Sequence, residues 1–105
     1  MAFSTNDGQY VSLQDACCWT ANHRNSSNYN GVKAIFYGKS KISEILAQSG
    51  CVGIRAYYAI DDQDKPVLVL VGTDANGNDI ESTLILERGS PCPPNCGGGD
   101  CSLQG

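Results

Sequence analysis

Three apolar segments separated by two turn signals fill residues 51–89, and they constrain the fold more than any other feature. In 51–60, apolar residues alternate with Arg55 and Tyr57, which is the two-residue period of a strand. Segment 67–73 is apolar on both faces, and 80–89 alternates again. A polar turn separates the first two segments, and Asn76-Gly77 predicts a type I′ hairpin between the last two. Three strands joined by tight turns predict an antiparallel meander.

Two helical segments precede these strands. In 12–24, Ser12 is the expected N-cap, and apolar residues recur at helical spacing. In 39–50, Ser40 is expected to cap the start and Gly50 to end the helix. Between the helices, 32–38 predicts a short strand.

These elements predict an α+β fold of two layers. Two N-terminal helices would pack on a three- or four-stranded antiparallel meander, since each layer needs an apolar partner. Residues 1–89 are expected to form a single domain. Residues 90–105 hold three of the four prolines without periodicity, and they predict an irregular Cys/Pro/Gly tail.

Charge and hydropathy restrict the partners. Seven basic residues stand against 11 acidic ones, for a net charge of −4, and the basic residues are scattered along the chain. Nucleic-acid binders show a basic patch or stripe, so this partner is disfavoured. The N-terminus shows no basic and apolar leader, and no run approaches the ~20 apolar residues of a membrane span. We therefore expect a cytoplasmic protein without a membrane span.

The tail cysteines Cys92, Cys96 and Cys101 are candidate metal ligands. Their spacings suit a zinc knuckle, but a structural zinc site needs four ligands. The fourth would come from the folded part of the chain: His23, Cys17, Cys18 or Cys51. Zinc is thus the one cofactor these residues suggest. A disulfide within the tail and plain reduced thiols are the alternatives, and the lack of an export signal favours reduced thiols.

Other motif fragments are explained by local structure. "GKS" (38–40) lacks the earlier glycine of a phosphate-binding loop, since Lys33 stands at that position. "DANGND" (74–79) has oxygen ligands at the first positions of a calcium loop but departs from it at positions 6 and 12. Cys17 and Cys18 are expected to be small buried side chains, and Cys51 an inert thiol.

Several stretches resemble a family of small uncharacterised bacterial proteins. They are "GCVGIRAYY" (50–58), "LVLVGTDANGND" (68–79) and "CPPNC" (92–96), preceded by "SLQDA…WT…HR". The resemblance runs from about Lys33 to Cys96, and "GGGDC" looks like an addition to the family's usual ending. It implies a compact bacterial domain and no established activity.

The expected function is a non-enzymatic protein-interaction or structural module, a subunit of a larger bacterial assembly. Because helices cover one face of the sheet, the second face and the tail are the expected contact surface: Tyr57, Val69, Ile85, Pro93 and Pro94. A protein partner or self-assembly would bind there. One alternative is a metal- or redox-responsive module that uses the tail cysteines with His23. The other is an enzyme that uses His23, Arg55 or Cys51.

Overall fold

The structure, a computed structural model, describes residues 2–97 and Leu103. In chain order its elements are α1 (Leu13–Arg24), β1 (Ala34–Phe36), α2 (Lys39–Leu46), β2 (Cys51–Ile60), β3 (Pro66–Asp74) and β4 (Ser90–Cys92). The strands form two antiparallel pairs, β2 with β3 and β1 with β4. The α+β class and the antiparallel pairing are confirmed.

The described chain divides into two compact units. The first takes the N-terminal stretch through Gly8 together with Tyr37–Gly89, and the second takes Gln9–Phe36 and the chain from Ser90 onward. The first unit therefore holds α2, β2 and β3. The second holds α1, β1 and β4, so the first three residues of the expected irregular tail form a strand.

The β2–β3 hairpin is the framework of the first unit. Its register runs from Cys51 opposite Asp74 to Ile60 opposite Pro66, with one irregularity between Cys51 and Gly53. In the connecting turn, the carboxylate of Asp61 accepts hydrogen bonds from the backbone N–H groups of Gln63 and Lys65, at 2.8 and 2.9 Å. These bonds fix the turn in the way an Asx turn does.

Helix α2 packs against this hairpin at Gly72. A Cβ atom at that position would lie 2.9 Å from Nε2 of Gln48, 3.0 Å from Sγ of Cys51 and 3.2 Å from Cγ2 of Ile45. The absence of a side chain at Gly72 therefore lets the helix approach the sheet. Ile45 and Leu70 are buried on this face of the hairpin, whereas Val71 and Thr73 are buried on the opposite face.

The predicted third strand over 80–89 is wrong as a continuous element. Only isolated bridges form, between Thr73 and Asp79 and between Leu70 and Leu86. If the register of the first bridge continued along β3, Leu70 would stand opposite Ser82. Leu70 instead stands opposite Leu86, so the register shifts by four residues between the two bridges. Ser82 causes the break, because its N–H bonds to the carbonyl of Ile80 and its hydroxyl accepts the N–H of Leu84. The three-stranded meander is reduced to a hairpin with two short contacts.

The hairpin at Asn76-Gly77 forms, but its turn is not type I′. Of the two residues, only Gly77 has a positive φ, of 85°, whereas type I′ needs positive φ at both. The N–H of Gly77 donates to the carbonyl of Asp74 at 3.0 Å, and the N–H of Asp74 donates to the carbonyl of Asn78 at 2.9 Å. The loop is therefore a three-residue hairpin with glycine in the left-handed region.

The helix boundaries agree in part with the sequence. Ser12 caps α1 as predicted, since its hydroxyl accepts the N–H of Asp15 at 3.0 Å. Helix α2 starts after Gly38 rather than after Ser40, and it ends at Leu46. Gly50, expected to end the helix, has φ 80° in the turn that leads into β2.

The second unit joins β1 and β4 in a short antiparallel pair. Ala34 stands opposite Cys92 and Phe36 opposite Ser90, and the N–H of Lys33 donates to the carbonyl of Cys92 at 2.7 Å. Immediately after β4, the peptide bonds on both sides of Pro93 are cis. Of the two helices predicted to cover the meander, α2 packs on β2 and β3, whereas α1 belongs to the second unit.

Candidate protein-interaction site

The hydrogen bonds of β3 reveal which backbone groups of β2 point away from the hairpin. Leu70 exchanges both backbone hydrogen bonds with Leu86 at 2.9 Å, so its N–H and C=O point away from β2. The carbonyl of Gly72 accepts the N–H of Ile80 at 2.8 Å, and the carbonyl of Leu68 accepts the hydroxyl of Tyr37. Even-numbered residues of β3 therefore direct their backbone groups outward.

The same alternation assigns the backbone groups of β2. In an antiparallel ladder, two residues that stand opposite each other direct their backbone N–H and C=O groups the same way. Both residues point these groups toward the partner strand, or both point them away from it. Four residues of β2 stand opposite the even-numbered residues of β3, and they therefore direct their N–H and C=O groups away from β3. They are Ile60, Tyr58, Ala56 and Ile54, opposite Pro66, Leu68, Leu70 and Gly72. Pro66 fits this assignment, because it has no N–H to donate. We call the outward backbone groups of these four residues the β2 edge.

The β2 edge is open among the described residues. No strand or loop within 2–97 accepts or donates a backbone hydrogen bond at Ile54, Ala56, Tyr58 or Ile60 along this side. Natural proteins protect such edges with charges, prolines or bulges. The only irregularity of β2 lies between Cys51 and Gly53, and the rest of the edge is a regular strand.

The side chains at the distal part of this edge are exposed and apolar. Tyr58 is 94% exposed and Ile60 is 73% exposed, and Ala56 beside them is also exposed. Helix α2 packs on the same face at Gly72, at the other end of the hairpin, and leaves Tyr58 and Ile60 exposed. An open strand edge thus coincides with an apolar patch.

On the opposite face, β2 is held by a cluster around Asp79. Its carboxylate accepts hydrogen bonds from Nη1 of Arg55 at 2.8 Å, from the hydroxyl of Tyr57, and from Oγ1 of Thr73 at 3.3 Å. The guanidinium of Arg55 also lies 5.1 Å from the centre of the Phe3 ring, within cation–π range. The hydrogen bond from Tyr57, with the positive charge of Arg55, lowers the pKa of Asp79 below its usual range.

An open cleft of about 310 Å³ lies beside this cluster. The N-terminal segment forms one wall through Phe3, Ser4 and Asp7, and Arg55 and Thr73 contribute to the other. The N–H of Phe3 donates to the carbonyl of Ala75 at 2.7 Å, which ties the segment to the hairpin. Arg55 is engaged on three sides, by Asp79, by the carbonyl of Gly77 and by the Phe3 ring.

Of the residues predicted for the second sheet face, Tyr57 and Val69 form a cross-strand pair. They lie on the face of the Asp79 cluster, and Tyr57 is exposed. Ile85 is exposed but lies beside α2, where it lines a small cleft with Lys41 and Glu44. The three residues therefore do not form one continuous patch.

The predicted tail contacts belong to the second unit. Pro93 and Pro94 lie within a loop closed by a disulfide between Cys92 and Cys96, whose Cα atoms are 4.6 Å apart. Beside this loop, Phe36 is 68% exposed and lines an open cleft of about 840 Å³ with Pro94 and Leu103. The β1–β4 pair has three residues per strand, and Pro91 in β4 lacks an N–H, so it is a poorer edge than β2.

The predicted metal ligands are not assembled among the described residues. Nε2 of His23 lies 3.0 Å from the carbonyl oxygen of Val32, and its ring packs edge-on against Tyr29. Cys92 and Cys96 are bonded to each other, and Cys101 lies outside the described residues. No group of three or more His, Cys, Asp or Glu able to hold a metal occurs within 2–97.

Two of the remaining cysteines, Cys17 and Cys18, differ from their expected states. Cys17 is disulfide-bonded rather than a buried thiol, and Cys18 is exposed. Cys51 is a free, partly exposed thiol whose Sγ donates to the carbonyl of Gly53 at 3.3 Å. The disulfide alternative is thus the one the structure adopts for Cys92 and Cys96.

The sequence contains a signal for the β2 edge in the lengths of two segments. The alternation in 51–60 places Ile54, Ala56, Tyr58 and Ile60 on one face, which was predicted to meet the helix layer. Helix α2 has only eight residues, so it cannot cover ten residues of strand. The difference in length leaves Tyr58 and Ile60 exposed.

Comparisons with known proteins add no family. No family model matches the chain, and neither a curated protein nor a solved structure shows significant similarity to it. No helix within the described part of the chain combines the length and the apolar character needed to cross a membrane.

Proposed function

We propose that this protein is a non-enzymatic protein-interaction module that binds an extended segment along the β2 edge. The observation that carries the proposal is the coincidence of outward backbone groups at Ile54, Ala56, Tyr58 and Ile60 with the exposed side chains of Tyr58 and Ile60. Strand addition to an exposed sheet edge is a common mode of peptide recognition.

The two kinds of group have different roles in binding. Outward N–H and C=O groups supply main-chain hydrogen bonds that do not depend on the bound sequence. Tyr58 and Ile60 supply apolar contact, and they favour a segment with apolar residues at alternate positions. On the opposite face, Asp79 holds the side chains of the neighbouring residues Arg55 and Tyr57.

The side chains suggested for an enzyme are engaged in bonds that explain them structurally. Arg55 is held by Asp79 and the carbonyl of Gly77, and His23 lies against the carbonyl of Val32. These bonds favour the interaction module over the enzyme.

The proposal is tested by placing a photo-crosslinking amino acid at position 58 in the cells that naturally produce the protein. Tyr10 is the matched control, because it is an equally exposed tyrosine in a segment outside the sheets. We expect a discrete, saturable product from position 58 that disappears when Ala56 is replaced by proline, which removes an outward N–H. Equal, diffuse labelling from positions 58 and 10 would refute the proposal.

The assembly and the compartment are further parts of this proposal. Membership in a larger assembly rests on the open edge, and the bacterial origin of that assembly rests on the family resemblance. The disulfide of Cys92 with Cys96 and the disulfide-bonded state of Cys17 favour an oxidising compartment over the cytoplasm expected from the sequence. Mass mapping of the disulfides in protein isolated from its own cells tests this, and fully reduced cysteines would restore the cytoplasmic expectation.

A metal- or redox-responsive module is the second candidate, and the tail disulfide favours its redox form. A disulfide sulfur is not a thiolate ligand, so zinc could bind Cys92 and Cys96 only after reduction. We expect reduction to leave crosslinking at position 58 unchanged, since none of the four outward residues of the β2 edge is a cysteine. Reduction that creates a stoichiometric zinc site and alters this crosslinking would favour the second candidate.

A further inference from the structure

We propose that the segment bound along the β2 edge is the same edge of a second copy of this chain. This inference rests on the proposed function and names its partner. Two β2 strands would pair antiparallel about a two-fold axis and join the two hairpins into one four-stranded sheet. Closed two-fold dimers are the commonest assemblies of soluble proteins.

The backbone groups of the β2 edge are self-complementary. The even-numbered residues of β2 carry the outward N–H and C=O groups. When two such edges pair antiparallel, each even-numbered residue stands opposite an even-numbered residue of the other copy, so that donors meet acceptors. With Tyr58 on the axis, Tyr58 pairs with its own copy, and Ala56 pairs with Ile60 of the partner copy. A small side chain then lies beside a large one, and both exposed apolar residues become buried at the centre.

The charges along the edge also fit a second copy. Arg55 is the only charged residue in β2, so antiparallel self-pairing brings no like charges face to face. In the register with Tyr58 on the axis, Arg55 stands opposite Asp61 of the partner copy. Both groups also have partners within their own chain, since Arg55 bonds to Asp79 and Arg88 lies 3.7 Å from Asp61. The register therefore places opposite charges near each other at each end of the interface and forms no new ion pair there.

The edge also lacks the usual protection against self-pairing. From Ile54 to Ile60 it contains no lysine, no proline and no bulge, and its one charge is turned toward Asp79. A strand of this length with an exposed aromatic residue would pair with other edges unless a partner occupies it. A second copy satisfies all these features without another component.

Sedimentation equilibrium of the purified full-length protein, with its disulfides intact, is the first test. We expect a monomer–dimer equilibrium in the micromolar range or tighter. Tyr58→Asp should raise the dimer dissociation constant by about tenfold or more, because it buries a charge at the axis. Tyr10→Asp makes the same substitution at an exposed tyrosine outside the sheets and should leave the constant unchanged.

Cysteine crosslinking tests the register in a Cys18→Ser, Cys51→Ala background. Residues directly opposite in a hydrogen-bonded pair have Cα atoms about 5.5 Å apart, within the range of a disulfide. Tyr58→Cys should therefore form a covalent dimer on mild oxidation. Ile60→Cys alone should not, since the two copies of residue 60 lie roughly 14 Å apart in this register. The double variant Ala56→Cys with Ile60→Cys should crosslink again.

The outcomes separate this inference from the proposed function. A wild-type monomer at about 100 μM, well above the dissociation constants of specific dimers, would overturn the second copy as partner. If position 58 still crosslinks to a different protein in cells, the interaction function stands and only the partner is wrong. Crosslinking of Tyr58→Cys and Ile60→Cys to the same extent would also overturn the proposed pairing.

Discussion

Gly72 shows how one residue sets the distance between α2 and the hairpin. A methyl group there would lie within 3.2 Å of three atoms, contributed by Ile45, Gln48 and Cys51. We expect Gly72→Ala to lower the free energy of unfolding of the first unit by about 1–3 kcal/mol, as overpacking of a core does.

Gly53 supplies the matched control for this substitution. It lies on β2, a Cβ added to it would meet no atom within 4 Å, and it does not have a positive φ. Gly53→Ala should change the free energy of unfolding by less than about 0.5 kcal/mol. Equal effects of the two substitutions in urea unfolding would contradict the packing at Gly72.

Asp79 makes the stability of the first unit depend on pH. Hydrogen bonding from Tyr57 and the charge of Arg55 hold the pKa of Asp79 below its unfolded value of about 3.9. The unfolded chain therefore takes up the proton first on acidification. Asp79 stabilises the folded state above the unfolded pKa, and this contribution is lost as the pH falls through the folded pKa.

Urea unfolding of wild type and Asp79→Asn from pH 7 to pH 3 tests this effect. The wild type should be the more stable protein at pH 7, and the difference should shrink as the pH falls below about 4. Tyr57→Phe removes the hydroxyl that donates to Asp79 and should flatten the same part of the profile. A difference that stays constant over the whole range would contradict the role of Asp79.

Single residues were predictable from the sequence where the interaction is local. Ser12 was identified as the cap of α1 because the cap contacts a residue three positions away. The alternation also placed Arg55 and Tyr57 on one face. Asp79 was not identified as their partner, because its position depends on the register of a hairpin more than 20 residues along the chain.

At the scale of elements, the Cys92–Cys96 disulfide holds the turn that follows β4. In the chain-entropy description, closing a loop of about five residues stabilises the fold by about 2 kcal/mol. We expect Cys96→Ala to lower the free energy of unfolding of the second unit by about that amount. Circular dichroism during urea unfolding measures the change.

Cys18 is the matched control for the loss of a cysteine. It lies on α1 in the same unit and is an exposed free thiol. Cys18→Ala should leave the free energy of unfolding within about 0.5 kcal/mol of wild type. Identical stability of wild type and Cys96→Ala would show that the disulfide does not stabilise this unit.

The strands β2 and β3 were predicted almost residue for residue, because alternation and turn signals are local. The structure of the segment after Gly77 was not predicted correctly. Its apolar and polar residues keep alternating over 80–89, but its backbone pairing with β3 does not continue. Ser82 donates to Oε1 of Gln48 at 2.6 Å and turns the chain, and this contact joins residues 34 positions apart. Similarly, β4 has no strand signal of its own and exists because β1 pairs with it.

At the scale of the whole molecule, the sequence predicted the α+β class and left the function open. The fold class follows from the spacing of apolar residues in each segment, which distinguishes helices from strands and can be read from the sequence. The open edge of β2 follows from what the other elements do not cover: α2 is short, and no strand of the described chain pairs with the outer side of β2. Both become apparent only after the elements are assembled.

Amide hydrogen exchange along β2 tests the open edge most directly. Inward amides should exchange slowly in dilute protein because they bond to β3, and outward amides should exchange fast. The inward group is Arg55, Tyr57 and Ala59, and the outward group is Ile54, Ala56, Tyr58 and Ile60.

Raising the protein concentration should then slow the outward amides and leave the inward ones unchanged, because the second copy supplies their hydrogen bonds. Outward amides as slow as the inward ones in dilute protein, or outward amides unaffected by concentration, would contradict an open β2 edge that pairs with a second copy.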